Sequence, residues 1–256
     1  MFKIKFRDIN FVSNQKKICN RKIILLFYGI GCSSDDFKFL LRNYNHKAQL
    51  FIAELPGHNN LKFCKDDLLS YSKKIFLFIK KNNIKEISFF AHSLGGIIPI
   101  ILVKNFIKNT IKIKWFINYE GNLTKYDTET LTKKTISYSK HEFVNYKFDK
   151  LIENCRNSDK KFLNFWSESL KKTSSDIFYN FSIQCVKLSE SNELLSFFKI
   201  FFKRKIYLFG EKTLIKVPMY SFGSVRFKIK NTGHFSFFEN KQEFGRIFDQ
   251  LLLKKT

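Results

Sequence analysis

The sharpest chemical signal in the chain is a run of six residues, Ala91-His92-Ser93-Leu94-Gly95-Gly96. It follows an apolar strand pattern, Ile87 to Ala91, and precedes a helical pattern that runs to about Ile107. A serine on a tight strand-to-helix turn is held in a strained backbone conformation, and small residues two places away on either side let the turn close. Ala91 and Gly95 fill those places. The chemistry such a turn serves is nucleophilic. The hydroxyl attacks a carbonyl carbon, and the helix that follows sets its positive end beside the developing oxyanion. A serine hydroxyl also needs a base. The chain has five histidines, His46, His58, His92, His141 and His234. His46 and His141 lie in polar stretches and His92 lies inside the turn itself. His58 closes the run Glu54-Leu55-Pro56-Gly57-His58, and His234 stands in Thr232-Gly233-His234-Phe235, between the last strand and the last helix.

These residues need a scaffold, and hydrophobic periodicity outlines one. Residues 1–12 alternate like a strand or hairpin. Continuous apolar runs at Lys22–Phe27, Gln49–Ala53, Ile87–Ala91 and Ile111–Tyr119 read as strands buried on both faces. Ser34-Asp35-Asp36 caps a helical stretch to about Arg42. Asp66-Asp67 opens an amphipathic helix to about Lys81, with Leu68, Tyr71, Ile75, Leu77 and Ile79 on its apolar side. Residues 121–204 are polar and helical in pattern, too long for an ordinary connection. Strands resume at Lys205–Phe209 and Val225–Ile229, and a last helix uses Phe244, Ile247, Phe248, Leu251 and Leu252. This alternation predicts an α/β fold with a mostly parallel sheet and helices on both faces. Its core would span 1–120 and 205–256, with a helical cap over 121–204.

With those elements in place, the motifs resemble the α/β-hydrolase superfamily over nearly the whole chain. Tyr28-Gly29-Ile30-Gly31-Cys32 is similar to that family's His-Gly oxyanion loop, with Tyr28 for His. Glu54-Leu55-Pro56-Gly57-His58 is similar to its Asp-Leu-Pro-Gly-His turn, which makes His58 a structural residue. The resemblance implies Ser93 as nucleophile, His234 as general base, and the N–H groups of Ile30 and Leu94 as oxyanion donors that touch the substrate. The family's usual acid position, in the loop after the strand that follows the insertion, holds Thr213. Two carboxylates stand nearby in the pattern. Glu120 ends the fourth buried strand, an alternative acid position in some members, and Glu211 lies one residue past the fifth. The reading favours Glu120, with Glu211 and an incomplete triad left open.

The implied activity is serine-dependent hydrolysis of a carboxylic ester or thioester, with no metal and no organic cofactor. The narrowest expectation is a methyl ester on an acidic acyl carrier protein, as in pimeloyl-carrier-protein methyl ester cleavage in biotin synthesis. The alternatives are a general carboxylesterase or lipase on small free esters, and a non-catalytic binding protein on the same fold. Aromatic residues of the insertion, Phe143, Tyr146, Phe162, Phe165, Trp166, Phe178, Tyr179 and Phe181, are candidates to line an acyl pocket or to pack the cap.

Composition narrows the partners. The 256 residues include 46 Lys and Arg against 22 Asp and Glu, a net charge of +24. The charge is scattered, with no basic tail and no nucleic-acid motif, so nucleic-acid binding is not expected. The 32 Phe and the Lys excess follow codons rich in A and T, which accounts for much of the charge. An acidic protein partner remains compatible. Five cysteines, Cys19, Cys32, Cys64, Cys155 and Cys185, form no CxxC pair, so neither a disulfide framework nor a zinc site is indicated. No apolar signal core opens the chain and no run approaches a membrane span, so a soluble cytoplasmic protein is expected.

Overall fold

A computed structural model describes residues 1–18, 22–42, 48–61, 67–107, 110–214 and 224–253. Asp66, His46, Cys19 and Cys64 lie outside the described residues. Among the described residues, eight strands form one sheet in the order β1-β2-β4-β3-β5-β6-β7-β8. β1 (Phe2–Phe6) and β2 (Ile9–Ser13) make an antiparallel hairpin, and β2 pairs antiparallel with β4 (Ala48–Ala53). β3 (Lys22–Phe27), β5 (Glu86–His92), β6 (Lys112–Tyr119), β7 (Lys205–Gly210) and β8 (Val225–Ile229) continue the sheet in parallel.

The middle of the sheet is buried on both faces, as continuous apolar runs require. Consecutive residues of β5 show this directly, because side chains alternate between faces. Phe89 meets Phe116 and Phe202, whereas Phe90 meets Phe244 and Phe248 on the other side. α1 (Ser34–Arg42) joins the second group through Phe37, which lies 4.4 Å from Phe237 and 6.5 Å from Phe244. α2 (Leu68–Lys81) starts at Asp67, whose carboxylate accepts the Ser70 N–H. Its buried side differs from the expected one: Phe78, not Leu77, joins Tyr71, Ile75 and Ile79. Steps of four, three and one keep those residues on one stripe, and Leu77 falls beside it. Phe78 then stacks on Phe11 with ring centroids 4.3 Å apart. The Ser34 cap also differs. Asp36 accepts the Ser33 N–H at 2.7 Å, and the Ser34 hydroxyl reaches Glu54 instead.

The helix after Ser93 is composite. A 3-10 turn over Ser93–Gly96 leads into α3 (Ile97–Leu102) and a π-helical turn over Val103–Ile107. Between β6 and β7 the described backbone is helical: α4 (Thr132–Ile136), α5 (Lys140–Glu142), α6 (Phe148–Arg156), α7 (Lys161–Leu170), α8 (Ser175–Glu190) and α9 (Glu193–Phe201). Polar bonds tie α7 to α1 and the start of α8 to the loop after β4. The Ser169 hydroxyl donates to Asp36, and the Ser174 N–H donates to the Gly57 carbonyl at 2.7 Å. Burial of Asp36 raises its carboxyl to about 6. After β8 come α10 (Ser236–Glu239) and α11 (Lys241–Leu253), which bury Phe244, Ile247, Phe248 and Leu251. Cys32, Cys155 and Cys185 are free and buried. No helix among the described residues is long and apolar enough to cross a membrane.

Candidate active site

Parallel strands in an open α/β sheet offer a crevice beyond their carboxyl ends, and the sequence-expected residues gather there. Ser93 follows the last residue of β5 and takes φ of +51°, a left-handed conformation that costs a non-glycine residue free energy. The turn persists because its neighbours are in backbone contact. A Cβ on Gly95 would lie 2.5 Å from the Phe27 carbonyl oxygen and 2.6 Å from that of Tyr28, so only glycine fits. The Asn122 N–H donates to the Ser93 carbonyl at 3.1 Å and ties the turn to the end of β6.

Glu120 follows the last residue of β6 and also has a positive φ, +43°. Its carboxylate is 5% exposed and fully bonded. Oε1 accepts the Gly210 N–H at 2.7 Å and the Thr213 hydroxyl at 2.8 Å, and Oε2 lies 2.6 Å from His234 Nδ1. A carboxylate only accepts, so Nδ1 carries the proton and Nε2 is left to take one. The His234 side chain is 38% exposed. Glu211 is elsewhere: it accepts from the Asn231 N–H and pairs with Lys228 at the surface. Thr213, at the family's usual acid position, supports Glu120. No sequence signal announced that bond, which spans 93 residues.

Ser93, His234 and Glu120 line one cavity of about 400 Å³, together with Ile30 and Leu94. Ser93 and His234 share the cavity without a hydrogen bond between them among the described contacts. In the loop after β3, Gly31 N–H donates to His58 Nε2 at 3.0 Å and Cys32 N–H to the Gly29 carbonyl at 3.1 Å, while Ile30 lines the cavity. Gly31 sits at φ +71°, and a Cβ there would meet Leu170, Trp166 and Phe178. The described insertion therefore closes directly over this loop. His58 is buried, with Nδ1 donating to the Pro56 carbonyl, and burial lowers its imidazole to about 4. His92 is buried too, and desolvation holds it well below the ordinary histidine range, with His234 adding to the effect. His141 is exposed on α5.

The cavity wall separates the two roles expected of the insertion's aromatic residues. Of the eight candidate rings only Trp166 lines it; Phe143, Phe148 and Phe178 pack on one another within the insertion. Ring periodicity does not tell inward from cavity-facing positions. Nor does the positive charge extend inside. The described lining holds Glu120, Asp127 and Glu129 and no Lys or Arg. Among the described residues, no group of three or more His, Cys, Asp or Glu side chains is placed to hold a metal ion.

No protein-family model and no curated protein matches the sequence. Solved structures do match in shape. A structure from a study of carboxylesterases of the thaumarchaeon Nitrososphaera gargenis superposes with a TM-score of 0.75 at 16% identity, covering 98% of this chain and 97% of that one. A putative lipase from Acinetobacter baumannii AYE gives 0.71 at 18% identity, covering 99% and 90%. MenH from S. aureus gives 0.71 at 13% identity, covering 94% and 97%. Full-length superposition, sheet order and the left-handed serine after β5 together establish that this chain has the α/β-hydrolase fold.

Proposed function

We propose that the protein is a serine hydrolase that cleaves carboxylic esters through an acyl-enzyme on Ser93. One observation carries the reading: a left-handed serine shares a cavity with an imidazole whose Nδ1 lies 2.6 Å from a buried glutamate. Glu120 holds the His234 ring in the tautomer with Nε2 free. His234 takes the Ser93 proton as the hydroxyl oxygen attacks the ester carbonyl, and the carbonyl oxygen becomes an oxyanion facing the Ile30 and Leu94 N–H groups. His234 then gives that proton to the leaving alcohol as the C–O bond breaks. Water, deprotonated by His234, attacks the acyl-enzyme, and the carboxylic acid leaves as Ser93 regains its proton. The esterase and lipase names of the structural neighbours support the same class.

The residues of 121–204 act as a cap that selects the substrate. A narrower form of the proposal is a methyl ester on an acidic acyl carrier protein, the class cleaved in biotin synthesis. The net charge of +24 supports an acidic partner. A small free ester is the second reading, and the cavity favours it. Apolar lining from Ile30, Leu94, Leu131, Trp166 and Phe235 suits an uncharged ester, because a charged acyl chain would lose its hydration there.

The test is initial-rate hydrolysis of p-nitrophenyl butyrate by the wild type and Ser93→Ala. The expected loss in the variant is about a thousandfold or more. Equal rates in the two proteins would refute the reading. Carrier-bound methyl ester hydrolysed no faster than the free ester would eliminate the narrower form.

A further inference from the structure

We propose that Tyr119 is a positioning residue for His234, so that one dipeptide at the tip of β6 fixes both ends of the imidazole-bearing residue; this rests on the hydrolase reading above. Neighbouring residues of a strand point to opposite faces, so Tyr119 and Glu120 would ordinarily have no common target. The left-handed backbone at Glu120 breaks that alternation. Glu120 Oε2 then meets the ring at Nδ1 (2.6 Å), and the Tyr119 hydroxyl donates to the main-chain carbonyl of His234 (2.7 Å).

The second hold is well determined. The Ser236 N–H donates to the Tyr119 oxygen at 2.8 Å, which leaves the hydroxyl proton for His234. His92 Nε2 lies 3.2 Å from the same carbonyl and must be the donor there, since a carbonyl only accepts. The Tyr119 ring is fully buried, stacked on His92 at 4.7 Å and edge-on to Phe244 at 5.3 Å. Burial raises its phenol well above the ordinary tyrosine value, so it stays a donor. A carboxylate alone leaves a ring free to swing about the Nδ1 contact. Fixing the carbonyl as well removes the swing that would carry Nε2 away from Ser93.

Tyr119→Phe removes only the hydroxyl. With p-nitrophenyl butyrate, kcat is expected to fall about tenfold while KM moves less than about twofold. In a Glu120→Gln background the same substitution should cost less than about twofold more, because the two holds act as one. A kcat within about twofold of wild type, whatever the melting temperature does, overturns the proposal, as do losses that simply multiply. An NMR arm is independent of activity. The His234 imidazole resonances, assigned with His234→Gln, should be single and sharp in the wild type and broadened or doubled in Tyr119→Phe, with His58 unchanged. Unchanged His234 resonances overturn the proposal. If the wild type shows no Ser93-dependent hydrolysis, the hydrolase reading fails and this arm alone decides the role of Tyr119. If Tyr119→Phe does not fold, the wild type decides. A slowly exchanging Tyr119 hydroxyl proton with an Overhauser contact to His234 supports the hold, and a freely exchanging one refutes it.

Discussion

Glu54 and Glu120 occupy matching places in the molecule. Each follows the last residue of a strand, β4 or β6, and each donates its N–H to a neighbouring strand, to the Asn10 or the Leu208 carbonyl. Both are buried. Glu54 accepts from the Tyr28 hydroxyl, the Ser34 hydroxyl and Asn59, as Glu120 accepts from Gly210, Thr213 and His234. The difference lies in the histidine nearby. His58, beside Glu54, is buried with both ring nitrogens bonded. His234 has one nitrogen bonded and its ring open to the cavity. The same residue types make a joint when every polar atom is satisfied and, on the proposed reading, a base when one nitrogen is left open to the cavity.

The widest separation should come from the two glutamates. Glu120→Gln is expected to lower kcat about a thousandfold, since the amide can no longer hold and charge-balance the His234 ring. Glu54→Gln should leave kcat within about threefold and lower the melting temperature. Comparable kcat losses in steady-state assays of the two variants would break the comparison.

The next effect is on stability. His58 titrates at about 4 in the folded protein against an ordinary 6.5. The unfolded chain therefore takes up the proton first. The stabilisation is complete above pH 6.5 and drains away as pH falls toward 4, by about 3 kcal/mol. Urea unfolding of the wild type and His58→Gln at pH 7 and pH 4.5 reads it as a difference between the two proteins, which cancels the opposite trend from Asp36. A gap that does not change with pH would sink this account of the joint.

The smallest effect concerns the open side. p-Nitrophenyl butyrate should be cleaved about tenfold more efficiently than the p-nitrophenyl hemisuccinate of matched length, because the apolar wall desolvates the extra carboxylate. Equal kcat/KM for both esters would remove the apolar-wall argument for the cavity.

Much of this was legible from residue order alone. The buried strands announced themselves as apolar runs, and the Ser93 turn is written in local spacing, small-x-Ser-x-Gly. Glu120 stood out as a carboxylate at a strand end before glycine. What sequence hid is long-range. The bond from Thr213 to Glu120 spans 93 residues and that from Tyr119 to His234 spans 115. Tyr28 and Glu54 each departed from the family pattern in the sequence, and only the fold shows that they bond to each other, at 3.0 Å. The aromatic residues of the insertion read in sequence as mostly packing, with nothing to single out Trp166: helical periodicity marks which rings are buried, not which of two partners, core or cavity, they face.

The contact at Gly95 has a consequence for how this protein could change its substrate. Because the Ser93 turn rests on the backbone of Phe27 and Tyr28, the segments carrying the Ile30 and Leu94 N–H groups form a single rigid unit. That unit consists of main chain. Side-chain replacement there has little to offer selection or design. Variation in what is recognised falls to residues 121–204, which meet the unit through side chains such as Leu170 and Trp166. If the proposed reading holds, the molecule is modular in use: a main-chain floor under a roof of replaceable side chains.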